Sequence, residues 1–159
     1  MTRVLMVCTG NICRSPLAEL LMRTKLQRFG ADDTIVSSAG TGAWAGAPAS
    51  EGAYLVGLEH DIDLSHHRAR LTTRDLVRES DLILTMARHQ RARVEDLGGG
   101  GKVHLLGEYA GLTGAEAEVG DPFGAGLEVY REVFDKLEGL AEIAAERFVR
   151  ERSEPYSGQ

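Results

Sequence analysis

The sequence predicts a small three-layer α/β fold on a four-stranded parallel sheet. Two observations carry that expectation: short apolar runs alternate with segments of helical period along nearly the whole chain, and the first run is continuously apolar, as in a strand buried on both faces. Its 159 residues, 43% hydrophobic and 26% charged, suffice for one core. A single domain is therefore expected over 1–152, with a loose tail over 153–159, where no apolar pattern continues.

Taken in order, residues 3–7 read as a buried strand closed by Gly10. A helix follows from Pro16, with Ala18, Leu21, Met22, Leu26 and Phe29 at helical spacing, Ser15 as its N-cap and Gly30 as its stop. The alternation then repeats: strand over 34–38, helix over 50–58 after Pro48, and a helix over 72–79 capped by Thr72. Next come a strand over 81–86, a helix over 87–97, a glycine turn over 98–101 and a strand over 103–106. The last helix is the clearest, with Leu127, Tyr130, Phe134, Leu137, Ala141, Ala144 and Phe148 on one stripe. Strands separated by helices imply a parallel sheet covered on both faces, here the small flavodoxin-like arrangement. Ligands in such sheets sit at the carboxyl ends of the strands, where the first strand leads.

The net charge of −6 opposes a role in holding nucleic acid or an anionic membrane by charge. The N-terminal apolar stretch over 4–7 is too short for a signal-peptide core, and no run approaches a transmembrane span, so a cytoplasmic protein is expected. The two cysteines, Cys8 and Cys13, form neither a secreted disulfide framework nor a four-ligand zinc pattern.

Between the first strand and first helix runs Cys8-Thr9-Gly10-Asn11-Ile12-Cys13-Arg14-Ser15. A Cys followed six positions later by Arg arises by chance about 0.2 times in a chain of this composition; requiring Ser next reduces that to about 0.01. Gly10 and Asn11 tolerate left-handed backbone, so the loop can curl with successive amides pointing inward, and the helix start adds its positive end. Such a ring binds a tetrahedral dianion. Arg14 supplies two parallel donors to it, and Cys8 at the base becomes a thiolate nucleophile.

With this loop, the segments 37–41 (Ser-Ser-Ala-Gly-Thr), 65–70 (Ser-His-His-Arg-Ala-Arg) and 121–123 (Asp-Pro-Phe) complete a resemblance covering the chain to about Arg150. The sequence resembles the low-molecular-weight protein-tyrosine phosphatases. The resemblance implies an enzyme, a phosphoric monoester hydrolase, in which Cys8 attacks phosphorus and forms a phosphocysteine. It implies that Thr9, Gly10, Asn11, Ile12, Cys13, Arg14 and Ser15 bind the phosphate, and that Arg14 stabilises the transition state. Ser15 donates to the thiolate, Asn11 braces the loop, and Ser38 and His67 stand behind it. Asp121 serves as general acid and then base. No metal or cofactor is required. Cys13 is implied to form a protective disulfide with Cys8.

Ile12, Trp44 and Phe123 are the candidate walls of the substrate pocket, Trp44 standing equally well as a core residue. His66 reads as a loop residue. His60, His89 and His104 carry no functional reading, and the arginines from 68 to 93 read as solvated surface. After the Asp-Pro pair the family's tyrosine phosphatases often carry two aromatics, whereas this chain has Phe123-Gly124. That stretch resembles the bacterial subgroup that includes protein-arginine phosphatases, which carry Thr where Ile12 stands. Ile12 offers a branched apolar surface suited to a ring, so phosphotyrosine ranks first and phosphoarginine second. Arsenate reductase, which shares this loop, needs further cysteines that are absent after Cys13. A noncatalytic phosphate-binding adaptor would need neither Cys8 nor Asp121. Expected partners are phosphorylated proteins, among them a tyrosine kinase or its targets, met by a monomer.

Overall fold

The computed structural model describes residues 2–153. The strands are β1 (Thr2–Cys8), β2 (Thr34–Gly40), β3 (Leu82–Thr85) and β4 (Val103–Leu105), all parallel in the order β2-β1-β3-β4. Helices α1 (Arg14–Arg28), α2 (Glu51–Glu59), α3 (Arg74–Glu79), α4 (Arg88–Val94), α5 (Leu106–Tyr109) and α6 (Leu127–Ser153) cover both faces. The expected three-layer α/β fold is the observed one.

Central β1 shows why. Its side chains alternate between two cores. Val4, Met6 and Cys8 fall in the core shared with Leu17, Leu21 and Met22 of α1 and Phe134, Leu137 and Ala141 of α6. Leu5 and Val7 fall in the other, with Val77 of α3 and Val94 of α4. Covered on both faces from Val4 to Cys8, the strand has no polar position along that stretch, and ligand chemistry falls at its carboxyl end.

Several boundaries differ from the sequence expectations. Ser15 is not an N-cap: α1 begins at Arg14, and the Ser15 hydroxyl is engaged with Cys8 and Asn11. Thr73, not Thr72, caps α3, its hydroxyl accepting from Leu76 N, while Thr72 is buried. The helix expected over 87–97 is α-helical only to Val94 and closes in a π-type turn, Glu95–Gly99, where Gly98 takes φ +101°. Leu106 opens α5 rather than ending β4, because pairing with β3 stops at Leu105. A short 3-10 turn at Gly114–Ala117 had no sequence signal. Helix α6 runs through Ser153; the rest of the expected loose tail, 154–159, lies outside the described residues.

Gly40 ends β2 where the chain passes against the loop after β1. A Cβ there would stand 2.4 Å from the Thr9 carbonyl oxygen and 2.9 Å from Asn11 N, so only glycine allows this approach.

Candidate active site

The loop after β1 is held from outside by its carbonyl groups. Thr41 N donates to the Cys8 carbonyl at 2.9 Å, Gly42 N to that of Thr9 at 2.9 Å, and Ser50 N to that of Ile12 at 2.8 Å. His67 Nε2 donates to the Asn11 carbonyl at 2.6 Å. In a planar trans peptide the carbonyl and the next N–H point oppositely. Carbonyls turned outward at Cys8, Thr9, Asn11 and Ile12 therefore turn the amides of Thr9, Gly10, Ile12 and Cys13 inward. The result is a ring of donors at the start of α1, where the helix dipole adds positive potential.

Asn11 makes this shape possible. It is fully buried with φ +57°, a conformation Asn tolerates better than most residues. Its Nδ2 donates to Ser15 Oγ at 2.8 Å and to Ser38 Oγ at 3.0 Å, while its Oδ1 accepts from Arg70 N at 2.9 Å. Ser38 Oγ donates in turn to Glu19 Oε1 at 2.6 Å. Three of the side chain's four bonding positions go to holding three separate segments together.

Inside the ring, Cys8 Sγ accepts from Asn11 N at 3.3 Å and lies 2.9 Å from Ser15 Oγ. Arg14 is 4% exposed; one terminal nitrogen donates to the Val119 carbonyl at 2.8 Å, and its buried Nε has no partner among the described residues. A buried guanidinium N–H without an acceptor is costly unless an anion meets it. Asp121 Oδ2 lies 3.8 Å from the other terminal nitrogen, and Asp121 Oδ1 accepts from Phe123 N at 3.0 Å, so the Asp-Pro-Phe turn presents its carboxylate over the ring. Cys8, Thr9, Gly10, Ile12, Cys13, Arg14, Asp121 and Phe123 line one pocket of about 240 Å³.

The sequence-derived site residues thus meet in one place, with one exception. Trp44 is 88% exposed and belongs neither to the core nor to this pocket's lining, because its turn contacts the loop through the Gly42 backbone and leaves the indole in solvent. Sequence reasoning also passed over several supports. Thr9 Oγ1 accepts from Gln90 Nε2 at 3.0 Å and lies 3.2 Å from His89 Nε2, so His89 touches the loop. Gln90 is fully buried, its Oε1 accepting from Met86 N and Ala87 N. Arg70 and Glu19 tie down Asn11 and Ser38; Arg70 ends the Ser-His-His-Arg-Ala-Arg stretch, but no spacing marks its amide as a partner.

Cys13 Sγ lies 3.2 Å from Ser50 Oγ and 3.4 Å from Tyr130 OH. Burial pushes the Cys13 thiol above its ordinary range, and the Tyr130 phenol is pushed up to about 12, mainly by burial. Both cysteines are free. Among the described residues, no group of three or more His, Cys, Asp or Glu could hold a metal ion, and no helix is long and apolar enough to cross a membrane.

A thiol beneath inward amides, a buried arginine closing the ring and a carboxylate at its mouth define a cysteine-dependent phosphatase site at the carboxyl edge of a parallel sheet. The chain belongs to the low molecular weight phosphotyrosine protein phosphatase family, whose model matches residues 3–154; the family's members are phosphoric monoester hydrolases. It is 38% identical over 155 residues to the low molecular weight protein-tyrosine-phosphatase Wzb of Salmonella typhimurium, covering 96% of this chain and 98% of that protein. It is 34% identical over 151 residues to the protein-arginine-phosphatase of Bacillus subtilis, covering 94% of this chain and 98% of that protein. Among solved structures, the YwlE arginine phosphatase of Geobacillus stearothermophilus superposes with a TM-score of 0.86 at 30% identity, covering 100% of both chains. The tyrosine phosphatase Wzb of Escherichia coli, in complex with sulphate, gives 0.82 at 31%, covering 92% of this chain and 97% of that one.

Proposed function

We propose that this chain hydrolyses phosphotyrosine in protein substrates through a phosphocysteine. The observation that carries the reading is the buried Arg14 Nε, without a partner among the described residues, lining one pocket with the Cys8 thiol in a ring of inward amides. The ring holds the phosphoryl oxygens, and Cys8 Sγ attacks phosphorus in line as the bond to the phenolic oxygen breaks. Asp121 gives its proton to the departing oxygen. In the second step its carboxylate takes a proton from water, whose oxygen attacks the phosphocysteine; phosphate leaves and the thiolate returns. Ser15, 2.9 Å from the sulfur, donates to that thiolate in both steps.

Ile12 and the 66% exposed Phe123 form apolar walls on the same pocket, which suit an aromatic ring. The likeness to the Bacillus subtilis protein-arginine-phosphatase favours a second reading, phosphoarginine, and Ile12 weighs against it for want of a hydroxyl to orient water. All of the site comes from one chain, as a monomer requires, and two buried free thiols suit the reducing cytoplasm. A tyrosine kinase or its targets are the substrates this reading favours.

The test sets phosphotyrosine against phosphoarginine peptides for the parent, Cys8→Ser and Ile12→Thr. The parent turns over phosphotyrosine faster, Cys8→Ser turns over neither, and Ile12→Thr shifts the ratio toward phosphoarginine. Full activity in Cys8→Ser would overturn the mechanism, and an unshifted ratio in Ile12→Thr would overturn the role of Ile12.

A further inference from the structure

A second groove of about 410 Å³ adjoins the catalytic pocket, and Phe123 is the side chain they share. Leu55 of α2 and Leu127 of α6, each 37% exposed, form its apolar sides. Its space exists because the turn between Phe123 and Leu127 is Gly124-Ala125-Gly126, with almost no side-chain volume. Its floor is Tyr130, 3% exposed and packed so closely on α2 that a Cβ at Gly52 would stand 2.4 Å from the ring. The phenol reaches 3.4 Å from Cys13 Sγ, so the floor of this groove and the phosphate loop are one packed unit. Glu51 is the charged group in the lining.

We infer that this groove receives a large apolar side chain of the protein substrate, two positions from the phosphorylated residue, and so selects among phosphorylated sites. The inference rests on the phosphatase reading above. Continuity and geometry fix the occupant. A substrate whose phosphorylated side chain enters the Cys8 pocket must lay its backbone across the rim. In an extended chain residues i and i+2 point the same way about 6.6 Å apart, while i+1 points to the opposite side. Phe123 is a wall of both pockets, so the residue on the same face as the phosphorylated one is the one offered to the second groove. Leu55, Phe123 and Leu127 reward an aliphatic or aromatic side chain there. Glu51 disfavours an acidic one by repulsion.

The test uses phosphotyrosine peptides bearing Leu, Ser or Glu two positions before or after the phosphotyrosine, with a small aryl phosphate as control. Parent kcat/KM is expected to be roughly fivefold to tenfold higher for Leu than for Ser at one of the two positions, as partial burial of one leucine warrants, and lowest for Glu. Leu55→Ser and Leu127→Ser bring the Leu-to-Ser ratio toward one while leaving turnover of the aryl phosphate unchanged, which also shows that the variants are folded. Glu51→Gln raises the rate on the Glu peptide alone. Equal rates on all peptides, with normal aryl phosphate turnover, would overturn this inference and leave the phosphatase reading intact. A preference that survives both leucine substitutions would overturn it as well. Failure of the parent on the aryl phosphate would instead overturn the phosphatase reading and this inference with it.

Discussion

The sulfur of Cys8 lies 2.9 Å from the hydroxyl of Ser15, across the loop that both residues bound. Ser15 Oγ also accepts from Asn11 Nδ2 at 2.8 Å, and its hydroxyl hydrogen has the sulfur as the nearer acceptor, the Ala39 carbonyl standing at 3.4 Å. Ser15→Ala removes the hydrogen bond to the thiolate and one acceptor of Asn11 Nδ2, but no side-chain contact to phosphate. We expect kcat to fall roughly tenfold to a hundredfold with KM little changed, read from steady-state rates on an aryl phosphate.

Asn11 combines a left-handed backbone with three side-chain hydrogen bonds, two of them buried, and two variants separate the contributions. Asn11→Ala loses both and should destabilise the protein by about 2–4 kcal/mol in urea unfolding. Asn11→Gly relieves the backbone and should recover about 1 kcal/mol of that. Neither restores the tie between Ser15, Ser38 and Arg70, so activity should remain depressed in both. An active Asn11→Gly would mean the backbone alone shapes the ring.

Asp121→Asn keeps the side chain's size and its acceptor for Phe123 N but can no longer supply or take a proton. Its rate should fall roughly 10² to 10⁴-fold on phosphotyrosine. The loss should shrink on substrates with a strongly acidic leaving phenol, which needs no proton in the first step. A uniform loss across leaving groups would place Asp121 in binding only.

Cys8 and Cys13 line the same pocket, and peroxide should convert the Cys8 thiolate to a sulfenic acid that condenses with the Cys13 thiol, releasing water. After peroxide, the parent should regain activity with a thiol reductant, whereas Cys13→Ser should not. Mass spectrometry should find a linkage two hydrogens lighter in the parent only.

His104 sits beside Tyr109 and under the charge of Arg147, and burial, followed by that charge, lowers its pKa. The unfolded ring titrates near about 6.5, so below that pH the unfolded state binds more protons than the folded one. Stability from this source is complete above about 6.5 and declines as pH falls toward the lower folded value. Urea midpoints at pH 7.5 and about 5.5 should therefore differ less in His104→Asn than in the parent.

The candidate catalytic loop was legible because its proposed chemistry is contiguous. Nucleophile, anion ring, arginine and helix start occupy 8–15 in one strand-to-helix turn, and period change alone marks where that turn lies. Ser15 shows the limit of local rules: a serine before a proline reads as a cap, yet here a thiol and a buried amide claim its hydroxyl. Trp44 shows another, since an aromatic near a pocket in sequence can face solvent when only its backbone touches the loop.

The sequence by itself determined the parallel α/β layers and marked the candidate nucleophile and the residues proposed to assist it, because strand and helix periods and the eight-residue loop are local properties. Only the tertiary structure decided what holds the ring open: Ser38 from β2, His67 and Arg70 from the segment before α3, Gln90 from α4, and Val119 from 105 residues beyond Arg14. Parallel strands with right-handed crossovers bring their carboxyl ends to one edge, so groups remote in sequence converge there. Their mutual hydrogen bonds depend on that convergence and leave no period or spacing along the chain by which to read them.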